Sequence, residues 1–162
     1  KDEFPTRIIQ SLYSSQLTAI RFKCFLENFR NGIFYHYYEP IQINVVQSGN
    51  YTVSSIDNSY GAMGSLYKEH FNEFMPEERL IAHNLNGCPN REFKIITELQ
   101  SSVTYILIMM PIYPQLINNF SIVVFGPNNI TFNQISKSNI KSIISSFNRY
   151  FHQIFEQHIH QN

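Results

Sequence analysis

Residues 41–55 read IQINVVQSGNYTVSS. Ile41, Ile43 and Val45 alternate with Gln42 and Asn44, a period of two that puts apolar side chains on one face of an extended strand and amides on the other. Ser48-Gly49-Asn50 carries turn residues, and beyond it Tyr51 and Val53 again share a face. This predicts a β-hairpin of residues 41–47 and 51–55 with one buried side.

The same grammar extends in both directions. Short β-favouring runs recur at 65–69, 79–83, 93–99, 103–110, 120–125 and 129–132, separated by Gly, Pro, Asn and Ser. Their spacing of roughly eight to twelve residues is that of a sandwich or barrel. VTYILIMM (103–110) and FSIVVF (120–125) are apolar on both faces, which predicts central strands of a covered sheet. Upstream, 16–25 reads as a first strand. Downstream the period changes: Ile140, Ile143, Ile144, Phe147, Phe151, Ile154 and Phe155 recur at three- and four-residue steps, an amphipathic helix over 138–160 that Ser136 or Ser138 would cap. The expected organisation is one mainly β antiparallel sandwich over 1–133 and a helical segment over 134–162, its stripe docked on the sandwich or on a partner.

Composition narrows function by exclusion. Acidic and basic side chains number 12 each and cancel, and the basic ones are scattered singly, so no stripe is present to neutralise a nucleic-acid backbone. The longest apolar run, Tyr105 to Tyr113, is half the length of a membrane-spanning helix and is interrupted by Pro111. Only Asp2 and Asp57 are aspartates, and G-x-S-x-G, H-E-x-x-H, P-loop and C-x-x-C patterns are missing, so a non-catalytic protein without metal or cofactor is expected. Cys88 near His83 lacks a neighbour to lower a thiol pKa. His158 and His160 would point to different helix faces. Glu69, Glu73, Glu77 and Glu78 read as a solvated face.

Tyr37-Tyr38-Glu39-Pro40-Ile41-Gln42-Ile43-Asn44-Val45 with Ser48-Gly49-Asn50-Tyr51-Thr52 resembles the opening hairpin of jelly-roll modules of secreted and cell-surface proteins, including the pre-peptidase C-terminal type. Gly64-Ser65-Leu66-Tyr67, Leu80-Ile81-Ala82, Phe93 to Leu99, Thr104 to Ile108, and Phe120 to Val124 with Gly126-Pro127 are similar to its later strands in order. The resemblance covers about residues 35–132 and implies a jelly-roll-like antiparallel β-sandwich. Such modules often hold calcium in an acidic turn. The matching turn here, His83 to Asn90, contains no carboxylate, which argues against that site.

Sequons at Asn50, Asn119 and Asn129 point to glycosylation and export, with any signal lying upstream of Lys1. The expected location is extracellular or at the cell surface. Cysteine count alone leaves two readings of Cys24 and Cys88, a disulfide or two buried free thiols, and the sequons favour the disulfide. The functional expectation is an interaction or adhesion module of a larger protein, with partners among neighbouring domains or other proteins; the alternative is a carbohydrate-binding accessory domain. For the alternative, Tyr37 and Tyr60 are the candidate stacking residues. The apolar stretch Met109 to Pro114 is a candidate contact with a neighbouring domain. The bridge makes a direct prediction: the unreduced, unfolded protein should titrate no free thiol, and two titrating thiols would exclude it.

Overall fold

The computed structural model describes residues 7–17, 22–28, 32–56, 61–68, 79–84, 92–113 and 117–135. They form ten strands: β1 (Ile9–Gln16), β2 (Phe22–Asn28), β3 (Gly32–Val45), β4 (Gly49–Ile56), β5 (Ala62–Lys68), β6 (Leu80–Asn84), β7 (Lys94–Leu99), β8 (Thr104–Pro111), β9 (Asn119–Gly126) and β10 (Ile130–Gln134). Two antiparallel sheets result. One has the order β1-β9-β4-β7; the other runs β10-β3-β8-β5-β6, with β2 paired to the first half of β3. Along the chain the pairs are nested: β5 with β6 innermost, then β4 with β7, β3 with β8, and β1 with β9. Successive nested pairs fall in alternate sheets.

The alternation read in the sequence points its apolar set into one shared core. Ile41 and Ile43 of β3, and Tyr105 and Leu107 of β8, meet Tyr51 and Val53 of β4 and Ile122 and Val124 of β9. Each such side chain, fully withdrawn from water, contributes roughly 1.5–3 kcal/mol. Two close approaches set the spacing. The Phe93 ring lies against Gly64 on the opposite sheet, and the Tyr51 ring covers Gly126 on the adjacent strand. A Cβ on Gly126 would stand 2.1 Å from the Tyr51 ring.

The anticipated hairpin is not formed. β3 and β4 lie in different sheets, so residues 46–48 carry the chain from one layer to the other. Alternation fixes which side chains turn inward but is blind to which strand supplies the hydrogen bonds, and a crossover satisfies it equally. The expected first strand at 16–25 is also replaced, by β1 ending at Gln16 and β2 starting at Phe22. Residues 138–160, and with them the expected C-terminal helix, lie outside the described residues.

The two outer faces differ. On the six-stranded sheet, Tyr38, Met63, Tyr67, Ile108 and Met110 alternate away from the core yet are at most 3% exposed. This accounts for β8 being apolar on both faces. Met109 to Pro111, expected as part of a contact loop, complete β8 in buried positions, and Tyr113 beyond them is exposed.

Gly126→Ala should destabilise the protein by about 2 kcal/mol or more, since neither strand can retreat from the ring. Denaturant titration of a double-mutant cycle checks the cause: in a Tyr51→Ala background the same change should cost much less.

Candidate functional site

The outer face of the four-stranded sheet is the open one. Register aligns Gln10, Phe125, Thr52 and Ile96 in one row across it, and Leu12, Val123, Ser54 and Lys94 in the next. Leu12 is 57% exposed, Ile96 67% and Phe125 38%, among polar neighbours. Strand geometry explains the placement: inward Phe120, Ile122 and Val124 oblige Ser121, Val123 and Phe125 to face out.

At one end this face deepens into an open groove of about 420 Å³, lined by Arg7, Gln47, Asn50, Thr52, Phe125 and Pro127 among others. Its floor is braced. The Asn128 side-chain amide donates to the Gln47 side-chain carbonyl (3.4 Å), and the Tyr51 hydroxyl donates to the Gln47 backbone carbonyl (2.7 Å). Gly49 sits close against Pro127. The result is a semi-rigid apolar strip bordered by a guanidinium, two amides and the hydroxyls of Ser48 and Thr52. Such a lining suits a flat ligand rich in hydroxyl or amide groups. Among the described residues, no carboxylate, imidazole or thiol lines the groove. Among the described residues no three His, Cys, Asp or Glu side chains gather where a metal ion would bind. No helix among them is long and apolar enough to cross a membrane.

The residues singled out in the sequence are distributed differently. Tyr37 is only 8% exposed and belongs to the shared core, so it presents no ring face to a sugar. Its parity along β3 is that of Ile41 and Ile43, which turns it inward. Tyr60 lies outside the described residues, as do Cys88, the glutamates at 69, 73, 77 and 78, and His158 and His160. Cys24 falls on β2, opposite His36 in backbone register, and its pairing with Cys88 lies outside what is described. Asn50, Asn119 and Asn129 are all exposed, and Asn50 lines the groove. Arg7, Leu12, Ile96 and Phe125 were not anticipated. Phe125 hid inside a run that is apolar on both faces, although its alternation with Val124 carried the signal.

Another acid proves structural. Glu39 is fully buried, and its Oε1 accepts hydrogen bonds from the Tyr13 hydroxyl (2.9 Å), the Gln134 amide (2.7 Å) and, at 3.5 Å, the Ser15 hydroxyl. It does not reach the groove. No known family matches this chain, and no characterised protein aligns with it at a significant level.

Burial raises the Tyr51 phenol pKa above its ordinary value of 10.0, while a backbone hydrogen bond at Asn128 acts in the opposite direction. A raised folded-state pKa gives stability that is complete below the unfolded value and is lost as pH climbs through the folded one. Alkaline titration of the unfolding midpoint should therefore show a fall above about pH 10 that Tyr51→Phe reduces.

Proposed function

We propose that this chain is a non-catalytic, extracellular jelly-roll module that engages a protein partner through the outer face of its four-stranded sheet. The fold part of the reading is supported by the nested pairs. Four antiparallel pairs dealt alternately to two sheets, β1-β9-β4-β7 over β3-β8-β5-β6, follow jelly-roll winding, with β2 and β10 as additions. The observation that carries the functional part is the exposure of Leu12, Ile96 and Phe125 on one sheet face. Large apolar side chains grouped on an exposed sheet and rimmed by polar ones are the composition of a contact surface. Export rests on the three exposed sequons.

A second reading, a carbohydrate-binding accessory domain, is favoured by the groove itself. Phe125 offers a ring to stack on a sugar face, and Arg7, Gln47, Asn50 and Thr52 offer hydrogen bonds around it. Phe125 takes the role that the buried Tyr37 cannot.

A glycan array probed with protein lacking its own glycans separates the two, because a sugar attached to Asn50 would itself fill the groove. Saturable binding that Phe125→Ala abolishes, with the melting temperature retained, would replace the first reading by the second. A blank array, together with a Leu12→Ser/Ile96→Ser variant that loses co-purifying partners from the source organism's extracellular fraction, is the outcome expected for the first.

A further inference from the structure

The four-stranded sheet ends at β7, and among the described residues no strand pairs with the outer edge of β7. Which backbone groups line that edge follows from one hydrogen bond. The Ser55 amide donates to the Phe93 carbonyl at 3.2 Å, so the Phe93 carbonyl faces β4. Alternation then turns the amides and carbonyls of Ile95, Thr97 and Leu99 toward β4, and those of Lys94, Ile96 and Glu98 away from it. The side-chain amide of Asn84 donates to the Lys94 carbonyl at 3.0 Å, as that outward direction requires. A carbonyl oxygen has two lone pairs, so this one can accept a second hydrogen bond beside that of Asn84.

The side chains at the same three positions are all exposed on the outer face, in the order Lys94, Ile96, Glu98. Four residues of extended chain separate the two charges by roughly 13 Å, too far for them to pair with each other. The order is self-complementary under reversal. Antiparallel pairing of β7 with another β7, centred on Ile96, sets Ile96 opposite Ile96, Lys94 opposite Glu98 and Glu98 opposite Lys94. The same register makes Ile96 a hydrogen-bonded pair, with both amides and both carbonyls directed at the partner strand. A shift of two residues sets charge against isoleucine, and a shift of one removes the hydrogen bonds.

We propose that a second copy of this chain occupies the β7 edge, joining two four-stranded sheets into one of eight strands about a twofold axis at Ile96. Free strand edges are usually protected by charge against indiscriminate pairing. Here Lys94 and Glu98 disfavour registers that set a charge against an apolar side chain but match their own reverse. The pairing also makes the two exposed outer faces continuous, with Ile96 of each copy at the seam, which doubles the surface offered to a bivalent ligand.

Sedimentation velocity on the full chain tests this. The wild type should show a mass that rises with concentration from 19.1 kDa toward twice that value. Lys94→Glu and Glu98→Lys should each weaken self-association roughly tenfold by opposing like charges, and the combined K94E/E98K swap should restore it. Ile96→Pro should abolish it while leaving the melting transition in place, because the amide it removes points away from β4. A wild type that stays at 19.1 kDa at every concentration overturns the proposal. So does a charge swap that fails to rescue while all variants remain folded.

Discussion

Glu39 sits in the middle of β3 with no exposure to water, and the hydrogen bonds it accepts reach Tyr13 on β1 in one sheet and Gln134 on β10 in its own. A buried carboxylate without donors would cost several kcal/mol, so it specifies its surroundings as much as it stabilises them. A slip of β1 by one residue would turn Tyr13 outward, break the contact between its ring and those of Phe120 and Phe132, and remove the donors that β1 supplies to the acid. Close by, Ser11 accepts the backbone amide of Ile130 at 3.0 Å, so a polar seam runs along the side where the edge strands β1 and β10 meet. Elsewhere in the core, Phe93 against Gly64 holds the sheets together by shape alone. Polar satisfaction and ring-on-glycine packing thus fix the position of one sheet on the other.

Much of the strand content was legible because the core is one-sided. Where the inward residues of a strand are all apolar and the outward ones polar, the apolar residues recur with period two, as at 41–45 and 51–53. β1 escaped notice for the opposite reason. Its inward positions are Ile9, Ser11, Tyr13 and Ser15, two of them serines that serve the polar seam, while its largest aliphatic residue after Ile9, Leu12, points to solvent. The first half of β3 misled differently. Tyr37 and Tyr38 are neighbours with opposite orientations, yet both are buried, so alternation has no exposed member to mark there. Pairing partners were not legible at all, because hydrogen bonding between strands uses backbone groups that every residue shares. The candidate site depended on that hidden information: Phe125 and Ile96 become neighbours through β4, and no local pattern joins them.

The unequal outer faces give the molecule a direction. The six-stranded sheet is apolar and buried on both sides at Tyr38, Met63, Ile108 and Met110, whereas the four-stranded sheet keeps Leu12, Ile96 and Phe125 in contact with solvent. A sheet buried on both sides is a scaffold. One with a braced groove at its end and exposed apolar side chains bordered by polar ones is suited to recognition, and rigidity there limits the ordering cost of binding.

The nesting of strand pairs also bears on how the chain reaches this state. The pair β5 and β6 is separated by a short stretch of chain and can form early, but β1 must wait for β9, with Gln16 opposite Asn119. A ribosome emitting the chain from its N-terminus therefore releases β1 long before its partner exists. Until then one half of the eventual core is exposed, and topologies that close over such sequence distances fold slowly. Serines and glutamines along β1 lower the stickiness of that waiting strand, so the composition that hides it from pattern analysis protects the nascent protein.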